Sequence, residues 1–139
     1  MKISVVIANY NSGNYIEQCI NSLTRQTYKD IEIIFFDDNS TDNSINEIKK
    51  FPIVKVIENK NQTKYGSLNQ LNAFKESIKQ STGELIFFLD SDDYFHEKKV
   101  ETIVNYFKNN SETKILFDLP TNLYKNSNNN EKEDKYFFK

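Results

Sequence analysis

The chain has 139 residues, of which 37% are hydrophobic and 14% aromatic, enough for one compact domain with a sizeable core. Its 18 Lys and Arg residues against 20 Asp and Glu residues leave a net charge of −2, which argues against the basic surface typical of nucleic-acid-binding proteins. A single cysteine, Cys19, and a single histidine, His96, exclude disulfide scaffolds and zinc clusters, so the chemistry must come from carboxylates and amides.

Membrane insertion is not expected either. No apolar run approaches the roughly 20 residues that a membrane-spanning helix needs. Met1 and Lys2 lead directly into a strand pattern rather than a signal peptide. We therefore expect a cytoplasmic protein.

The amino-terminal segment predicts a strand, a loop and a helix. Residues 3–8 are β-branched and apolar, as in a strand buried on both faces of a parallel sheet. Residues 9–13 form a polar loop, and a helix of roughly 12–14 residues begins near Asn14. The apolar stripe of this helix comprises Tyr15, Ile16, Cys19, Ile20 and Leu23.

The same unit is then repeated. Residues 31–36 predict a second strand and residues 37–42 a polar loop, and Ile45 and Ile48 mark a short helix. The candidates for the N-cap of this helix are Ser40, Thr41 and Asp42.

Pro52 ends the short helix, and residues 53–57 predict a third strand, followed by a polar stretch over 58–66. A second long helix comes next, and Gly83 closes it as a C-terminal glycine stop. Its apolar positions are Leu68, Leu71, Phe74 and Ile78.

Residues 85–89 predict a fourth strand, which ends on the acidic sequence 90–93, and residues 114–119 predict a fifth. Between them lies another amphipathic helix, with apolar positions at Val100, Ile103, Val104 and Phe107. The paired phenylalanines of the strands are expected in the core; they are Phe35, Phe36, Phe87 and Phe88.

Strands that alternate with helices predict a mostly parallel sheet joined by right-handed crossovers and covered on both faces. The expected fold class is therefore α/β, a three-layer α/β/α sandwich, formed by residues 1–120. Residues 121–139 are rich in Asn and charged side chains, and we expect them to form a polar, flexible tail.

Polar clusters follow three of the predicted strands, at the edge where ligands bind in an open parallel sheet. They are Asn9 and Tyr10 after the first strand, Asp37 and Asp38 after the second, and Asp90, Asp92 and Asp93 after the fourth. Carboxylates that converge on one edge repel one another, by about 4 kcal/mol for a close pair at an effective dielectric of roughly 20. Mg²⁺ or Mn²⁺ relieves this repulsion, and a diphosphate completes its coordination shell. The pattern therefore predicts a transferase that uses a nucleoside-diphosphate donor.

Four segments occur in a fixed order along the chain. They are SVVIANYN at 4–11, QTYKDIEII at 26–34, DDNSTD at 37–42, and TGE at 82–84 leading into LDSDD at 89–93. Together they resemble the signature of the family-2 inverting glycosyltransferases, and the resemblance extends over residues 2–107. It implies the nucleotide-diphospho-sugar transferase fold, of the GT-A type.

The resemblance also implies roles for individual residues. Asn9 and Tyr10 would lie beside the nucleotide base, and Asp38 would accept a hydrogen bond from the base imide. Asp37 would support that loop or face the ribose. Asp90 and Asp92 match the two acids of the family's metal motif, which contacts the donor ribose and the cation, and Asp90 is assigned to nucleotide binding. Asp93 is a further acid that some members use, and the metal ligands are taken as Asp92 and Asp93 without a choice between them.

Several positions depart from the family pattern. Ala8 and Glu97 stand where many members carry proline, and the arginine often found before the second long helix is missing. Lys60 or Lys64 is the alternative contact for the diphosphate. An inverting transfer needs a general base, which in this family lies in the second half of the domain, so no residue here is assigned that role.

The resulting interpretation is the donor-binding half of a glycosyltransferase, either a truncated chain or one part of a split reading frame. It would bind a nucleotide sugar, with UDP as the family-level expectation, and act with inversion on a glycan or lipid-linked acceptor. Such acceptors place the enzyme in the cytoplasm, with peripheral attachment to the inner membrane face left open.

Two other functions remain open at this stage. The chain could be a non-catalytic nucleotide-binding or interaction module. A phospho-receiver-like domain also places acids at strand ends, but it usually has the first acid after strand one, where this chain has Asn9.

Overall fold

The computed structural model describes residues 1–117, which form four strands and four helices. The elements are β1 (Ile3–Asn9), α1 (Gly13–Thr24), β2 (Ile31–Asp38), α2 (Ser44–Ile48), β3 (Val54–Asn59), α3 (Gly66–Lys79), β4 (Leu85–Asp90) and α4 (Lys99–Asn109). The predicted strands and helices up to α4 are thus present, and the strand ends differ from the predicted ones by no more than one or two residues.

The four strands form one parallel sheet in the order β3-β2-β1-β4. β1 lies inside the sheet, and its residues Val5, Val6 and Ile7 have no exposed surface. Right-handed crossovers place α1 and α2, which contact each other, on one face of the sheet and α3 on the other. The predicted three-layer α/β/α sandwich is therefore confirmed.

The outer surface of α3 differs from the prediction. Its expected apolar stripe is largely exposed, with 62% exposure at Leu71 and 43% at Leu68. The residues that α3 buries are Asn69, Ala73 and Ser77. Small side chains on that face let the helix lie close to β1 and β2, the strands it contacts.

The expectation that both phenylalanine pairs are in the core is wrong for one residue. Phe35, Phe36 and Phe87 are buried, whereas Phe88 is 52% exposed. Among residues 1–117, β4 lies at the edge of the sheet, and the ring of Phe88 contacts that of Phe74 of α3 at a centroid distance of 4.8 Å. The face of β4 on the α3 side is thus only partly covered.

The predicted glycine stop of α3 is also wrong. The helix ends at Lys79, with Gln80 as a right-handed C-cap, and Gly83 lies several residues further on. A Cβ atom at Gly83 would lie 2.5 Å from the backbone nitrogen of Ser4, and the Gly83 N–H donates to Ser4 Oγ at 2.8 Å. Glycine is needed here because the chain passes very close to β1 before entering β4.

The chain divides into two units, residues 1–105 and residues 106–139, and α4 runs across this division. Residues 114–117 form no strand, so the predicted fifth strand is absent from its described part. Residues 118–119 of that prediction, and the predicted tail over 121–139, lie outside the described residues. Ile115 and Phe117 are 71% and 91% exposed.

Candidate functional site

Three loops meet at the carboxyl ends of β1, β2 and β4. Strand order reverses at β1, because the chain moves from β1 to β2 and β3 on one side and returns to β4 on the other. A crevice opens at such a point in parallel α/β sheets, because the connections on its two sides lie on opposite faces. The three predicted polar clusters are therefore brought to one place.

Asn9 links the loops that follow β1 and β2. Its Nδ2 donates to Asp37 Oδ1 at 2.7 Å and to Ser40 Oγ at 3.0 Å. Asn11, at φ 53°, accepts the backbone N–H of Thr41 at 2.8 Å through Oδ1. Asparagine tolerates this left-handed conformation better than most residues, so the loop can turn sharply while its side chain bonds to the loop after β2.

Asp42 connects the first turns of two helices. Its carboxylate accepts the backbone N–H of Gly13 at 2.8 Å and that of Ser44 at 2.9 Å. Partial desolvation opposes ionisation of Asp42, but the hydrogen bonds from Ser44 and Gly13 outweigh it and lower the pKa of this carboxyl. The N-cap of α2 is Asn43 rather than any of the three predicted residues.

Asp37 and Asp38 are adjacent, yet their surroundings differ. Both oxygens of Asp37 are used inside the loop, Oδ1 by Asn9 and Oδ2 by the backbone N–H of Ser40 at 3.0 Å. The Asp37 side chain is buried and does not line the crevice. Of the two expected roles, this geometry matches support of the loop rather than contact with a ribose.

Asp38 faces the crevice and accepts two amide groups. Asn59 Nδ2 donates to its Oδ1 at 2.6 Å, and Gln62 Nε2 donates to its Oδ2 at 3.1 Å. Asp38 is only 4% exposed, and the amides supply the hydrogen bonds that a buried carboxylate requires. Each oxygen still has lone pairs free for a further donor.

The crevice is a cavity of about 490 Å³. Of the predicted site residues, it is lined by Asn9, Tyr10, Asp38, Asp90 and Asp92; Asp37 and Asp93 are not among its lining residues. The structure thus brings Asp38 and Asp92 to one cavity, and it separates Asp92 from Asp93, which the sequence left equivalent.

The loop before α3 and the start of α3 itself supply lining residues that sequence reasoning missed. Gln62, Thr63, Asn69 and Gln70 all line the cavity, as does Lys64, one of the two lysines considered for the diphosphate. Asn69 holds this loop in place, because its Oδ1 accepts the Thr63 backbone N–H at 3.0 Å and its Nδ2 donates to the Thr63 carbonyl at 2.9 Å. The available signal was position, since this loop follows β3 at the same edge of the sheet.

Residues 90–93, here called the acidic loop, contain three aspartates whose charges act on one another. Partial burial raises the pKa of Asp93, and the charges of Asp92 and Asp90 raise it further, while Lys99 opposes them. Burial also raises the pKa of the nearby Cys19 thiol to about 12, and the acidic loop adds to the effect. As expected, Cys19 is a core residue, with 1% exposure.

The acidic loop can contribute to a cation site but cannot enclose one. Within residues 1–117, no three His, Cys, Asp or Glu side chains are grouped closely enough to hold a metal ion by themselves. Mg²⁺ and Mn²⁺ commonly use one or two carboxylates together with water and substrate phosphates. Asp92 and Asp90, which line the cavity beside open space, fit that arrangement.

Gln26 anchors the segment that follows the acidic loop. Its side chain is fully buried, its Nε2 donates to the carbonyl of His96 at 2.8 Å, and its Oε1 accepts the N–H of Val100 at 3.1 Å. The end of α1 is thereby joined to the start of α4. His96 contributes only backbone and local contacts and is exposed, as expected of a surface residue.

No helix among residues 1–117 is both long enough and apolar enough to cross a membrane.

The fold is that of GT-A glycosyltransferases. S. aureus TarS 1–349 in complex with UDP superimposes with a TM-score of 0.71 at 28% identity, over 80% of this chain and 33% of that chain. A second TarS structure holds UDP-GlcNAc, with a TM-score of 0.69. A mannosyltransferase from Pyrobaculum calidifontis, at 18% identity and a TM-score of 0.67, shares the fold.

The sequence comparison is more specific. The family model for glycosyl transferase family 2 matches residues 4–138. Poly(ribitol-phosphate) beta-N-acetylglucosaminyltransferase TarP of Staphylococcus aureus is 38% identical over 119 residues, which is 83% of this chain and 36% of TarP. The glucosyltransferase WfaP of Escherichia coli is 35% identical over 122 residues, 88% of this chain and 46% of WfaP.

The chain therefore belongs to glycosyl transferase family 2. It spans only 36% of TarP and 46% of WfaP, well under two thirds of either relative.

Proposed function

We propose that the chain binds the donor of a sugar transfer, a UDP-sugar held together with a divalent cation in the crevice. The observation that carries this proposal is that Asp38 and Asp92, from the ends of two different strands, line one cavity of about 490 Å³. The printed names of the relatives support the donor class, since WfaP is named for UDP-Glc and TarS has been solved with UDP-GlcNAc.

Recognition of the base follows from hydrogen-bonding complementarity. Uracil presents an imide N–H between two carbonyl oxygens. In this proposal Asp38 accepts the imide N–H, and the amide of Gln62, which lines the cavity beside Asp38, donates to a carbonyl. Cytosine has an acceptor nitrogen in place of that N–H and would face the carboxylate with a lone pair. Tyr10, half-exposed on the cavity rim, is placed to contact the base.

We assign the cation to Asp92, with Asp90 beside it. The cation, Mn²⁺ or Mg²⁺, supplies charge neutralisation for the departing diphosphate when bound. Gln70 donates to Asp90 Oδ1 at 2.8 Å and thereby fixes the orientation of that carboxylate. Lys64 lines the same cavity and adds the positive charge that the missing family arginine would provide.

The complete transfer is proposed for the whole protein of which this sequence is the donor-binding half. An acceptor hydroxyl on a glycan or lipid-linked glycan attacks the sugar carbon opposite the diphosphate, with inversion, and a general base removes its proton. We place that base and the acceptor site in the part of the relatives that this chain does not span. The cytoplasm is the proposed location, with peripheral contact at the inner membrane face. Alone, the chain binds donor without transferring sugar.

Calorimetric titration with UDP in the presence of Mn²⁺ tests the donor site. Wild-type protein should bind UDP with a heat that depends on the metal, and Asp38→Asn should weaken binding because the imide N–H loses its charged acceptor. Asp30→Asn is the matched control, since Asp30 is an exposed aspartate before β2, at the opposite edge of the sheet. The absence of metal-dependent heat in the wild type, or equal losses in the two variants, would refute the donor site.

A further inference from the structure

The loops after β1 and β2 are joined by hydrogen bonds that meet at the side chain of Ser40. Ser40 Oγ accepts Asn9 Nδ2 at 3.0 Å and the backbone N–H of Asn11 at 3.0 Å. A hydroxyl oxygen has two lone pairs, so these two donors use both of them. Ser40 does not line the donor cavity, and the proposed nucleotide contacts therefore do not account for this arrangement.

Asp37 closes these bonds into a ring. Asn9 Nδ2 also donates to Asp37 Oδ1 at 2.7 Å, and Asp37 Oδ2 accepts the backbone N–H of Ser40 at 3.0 Å. Asn9 and Asp37 are opposite each other in the register of β1 and β2, and both are buried. Ser40 is thus held through its backbone as well as its side chain, and its hydroxyl has a fixed place relative to the two strand ends.

Both loops contain an asparagine in the left-handed region of the backbone map, Asn11 at φ 53° and Asn39 at φ 58°. A residue other than glycine adopts this conformation at a cost, and it persists where surrounding contacts hold it. Ser40 Oγ holds the backbone N–H of Asn11, and the N–H of Thr41 donates to Asn11 Oδ1 at 2.8 Å. Without the hydroxyl, the backbone of Asn11 would be free to leave the left-handed conformation.

Tyr10 lies between the two residues that Ser40 binds. It lines the donor cavity and is half-exposed, so few contacts of its own fix the ring. Its carbonyl accepts Ser12 Oγ at 3.4 Å, which is too long to hold the loop firmly. The position of Tyr10 therefore depends on how its neighbours on both sides are held. Asp38 is two residues before Ser40, so one hydroxyl sets the place of Tyr10 relative to the carboxylate on the other side of the base site.

We propose that Ser40 is a positioning residue for base recognition, whose hydroxyl holds Tyr10 at the cavity rim in a fixed relation to Asp38. The inference rests on the proposed donor site, in which Tyr10 contacts the base and Asp38 accepts its imide N–H. Alanine at position 40 would leave Asn9 Nδ2 with Asp37 alone and the Asn11 N–H without its acceptor. Binding would then have to order the loop that carries Tyr10, which lowers the affinity for the base.

Fluorine NMR of protein labelled with 3-fluorotyrosine tests this contact without any ligand. The sequence has 8 tyrosines, and the Tyr10 resonance is the one that disappears in Tyr10→Phe. Ser40→Ala should shift or broaden this resonance and leave the others in place, which also shows that the variant is folded. Ser67→Ala removes an exposed serine from the first turn of α3 and is the matched control, with no change at Tyr10. An unchanged Tyr10 resonance in Ser40→Ala would overturn the proposal.

A double-mutant cycle on the Kd for UDP in Mn²⁺ tests whether Ser40 acts through Tyr10. Ser40→Ala should raise Kd on the order of tenfold in the wild-type background, and by less than about twofold in Tyr10→Ala, where no ring remains to be positioned. A purely structural role would give the same fold-change in both backgrounds, and that result would refute the inference. Ser40→Cys keeps the volume but offers only a weak acceptor, and it should show the same coupling with a smaller loss, which covers a failure of Ser40→Ala to fold.

The two measurements distinguish this inference from the donor site itself. Absence of metal-dependent UDP binding in the wild type would refute the donor site and with it the recognition of a base, while the fluorine spectra would still report whether Ser40 holds Tyr10. Normal UDP binding by the wild type, together with equal fold-changes in the cycle, would remove the role of Ser40 and leave the donor site intact.

Discussion

Gln62 Nε2 donates a hydrogen bond of 3.1 Å to Oδ2 of Asp38 at the donor cavity. This contact joins the loop before α3 to the end of β2, and it places an amide beside the carboxylate proposed to bind the base. Gln62→Met keeps the length of the side chain and removes its donor and acceptor.

We expect Gln62→Met to weaken UDP binding by about 1–2 kcal/mol, or roughly 5–30-fold in Kd, which lies within the range spanned by one lost hydrogen bond to a neutral or a charged group. Gln18→Met, an exposed position on α1, is the control and should leave Kd unchanged. Calorimetry with UDP measures both. Equal affinity of Gln62→Met and wild type would remove Gln62 from base recognition.

The two acids at the end of the acidic loop are expected to behave differently. Asp92 lines the cavity and Asp93 does not. Asp92→Asn should reduce UDP binding in Mn²⁺ to the level measured in EDTA, whereas Asp93→Asn should keep the metal dependence. Titrations of each variant in both conditions decide the assignment. The reverse pattern would transfer the metal ligand to Asp93.

Gln26→Ala should destabilise the protein by about 2–3 kcal/mol, because it leaves buried partners on the His96–Val100 segment without their hydrogen bonds. Urea denaturation measures the free energy of unfolding. The control Gln18→Ala removes an exposed glutamine from α1 and should change it by less than about 0.5 kcal/mol. Similar values for the two variants would contradict a structural role for Gln26.

The stability of the folded protein is expected to depend on pH through Glu32, near the amino-terminal end of β2. Desolvation opposes ionisation of Glu32, but hydrogen bonds from Ser4, Thr82 and Lys2 prevail and lower its pKa from 4.5 to about 2. A carboxyl with a lowered folded-state pKa stabilises the protein fully above its unfolded pKa of 4.5, and this contribution disappears as the pH falls towards 2.

Glu32→Gln should therefore reduce stability at pH 7, and its stability should fall less steeply between pH 4.5 and pH 2 than that of the wild type. Glu58→Gln, at an exposed position of β3, is the control and should follow the wild-type curve. Thermal unfolding across this pH range measures the difference. Parallel curves for Glu32→Gln and wild type would contradict the prediction.

Gly83→Ala and Gly66→Ala form a pair with opposite expectations. A Cβ at Gly83 would lie 2.5 Å from backbone of Ser4, so alanine should cost about 1–3 kcal/mol as β1 and β4 separate. A Cβ at Gly66 meets nothing within 4 Å, and alanine in this helical position should leave stability unchanged or raise it by up to about 1 kcal/mol. Thermal unfolding compares them.

The strands could be predicted from sequence because burial on both faces requires uninterrupted apolar runs, as in residues 3–8. The convergence of Asp38 and Asp92 followed from the parallel topology, since the carboxyl ends of parallel strands share an edge. The division of labour between Asp37 and Asp38 could not be predicted. Neighbouring strand residues point to opposite faces, and which face is the cavity depends on the tertiary partners Asn9 and Gln62.

The orientation of α3 was the larger error. An apolar stripe normally indicates the buried face of a helix, but here Leu71 is exposed and Ala73 is buried. An apolar stripe indicates that a helix face is packed against another surface. The sequence alone does not say whether that surface is the sheet, and for α3 it is not. The strand predicted at residues 114–119 fails in its described part for a related reason, since propensity alone cannot provide a neighbour to pair with.

The carboxylate of Asp42 has a further consequence for how a diphosphate is received. The amino end of a helix carries partial positive charge and exposed N–H groups, and many nucleotide-binding proteins seat a phosphate there. In this protein an internal anion already fills that position at α1, through the N–H of Gly13. We therefore expect the phosphates of the proposed donor to lie away from the amino end of α1, and to be neutralised by the bound cation or by Lys64, which lines the cavity.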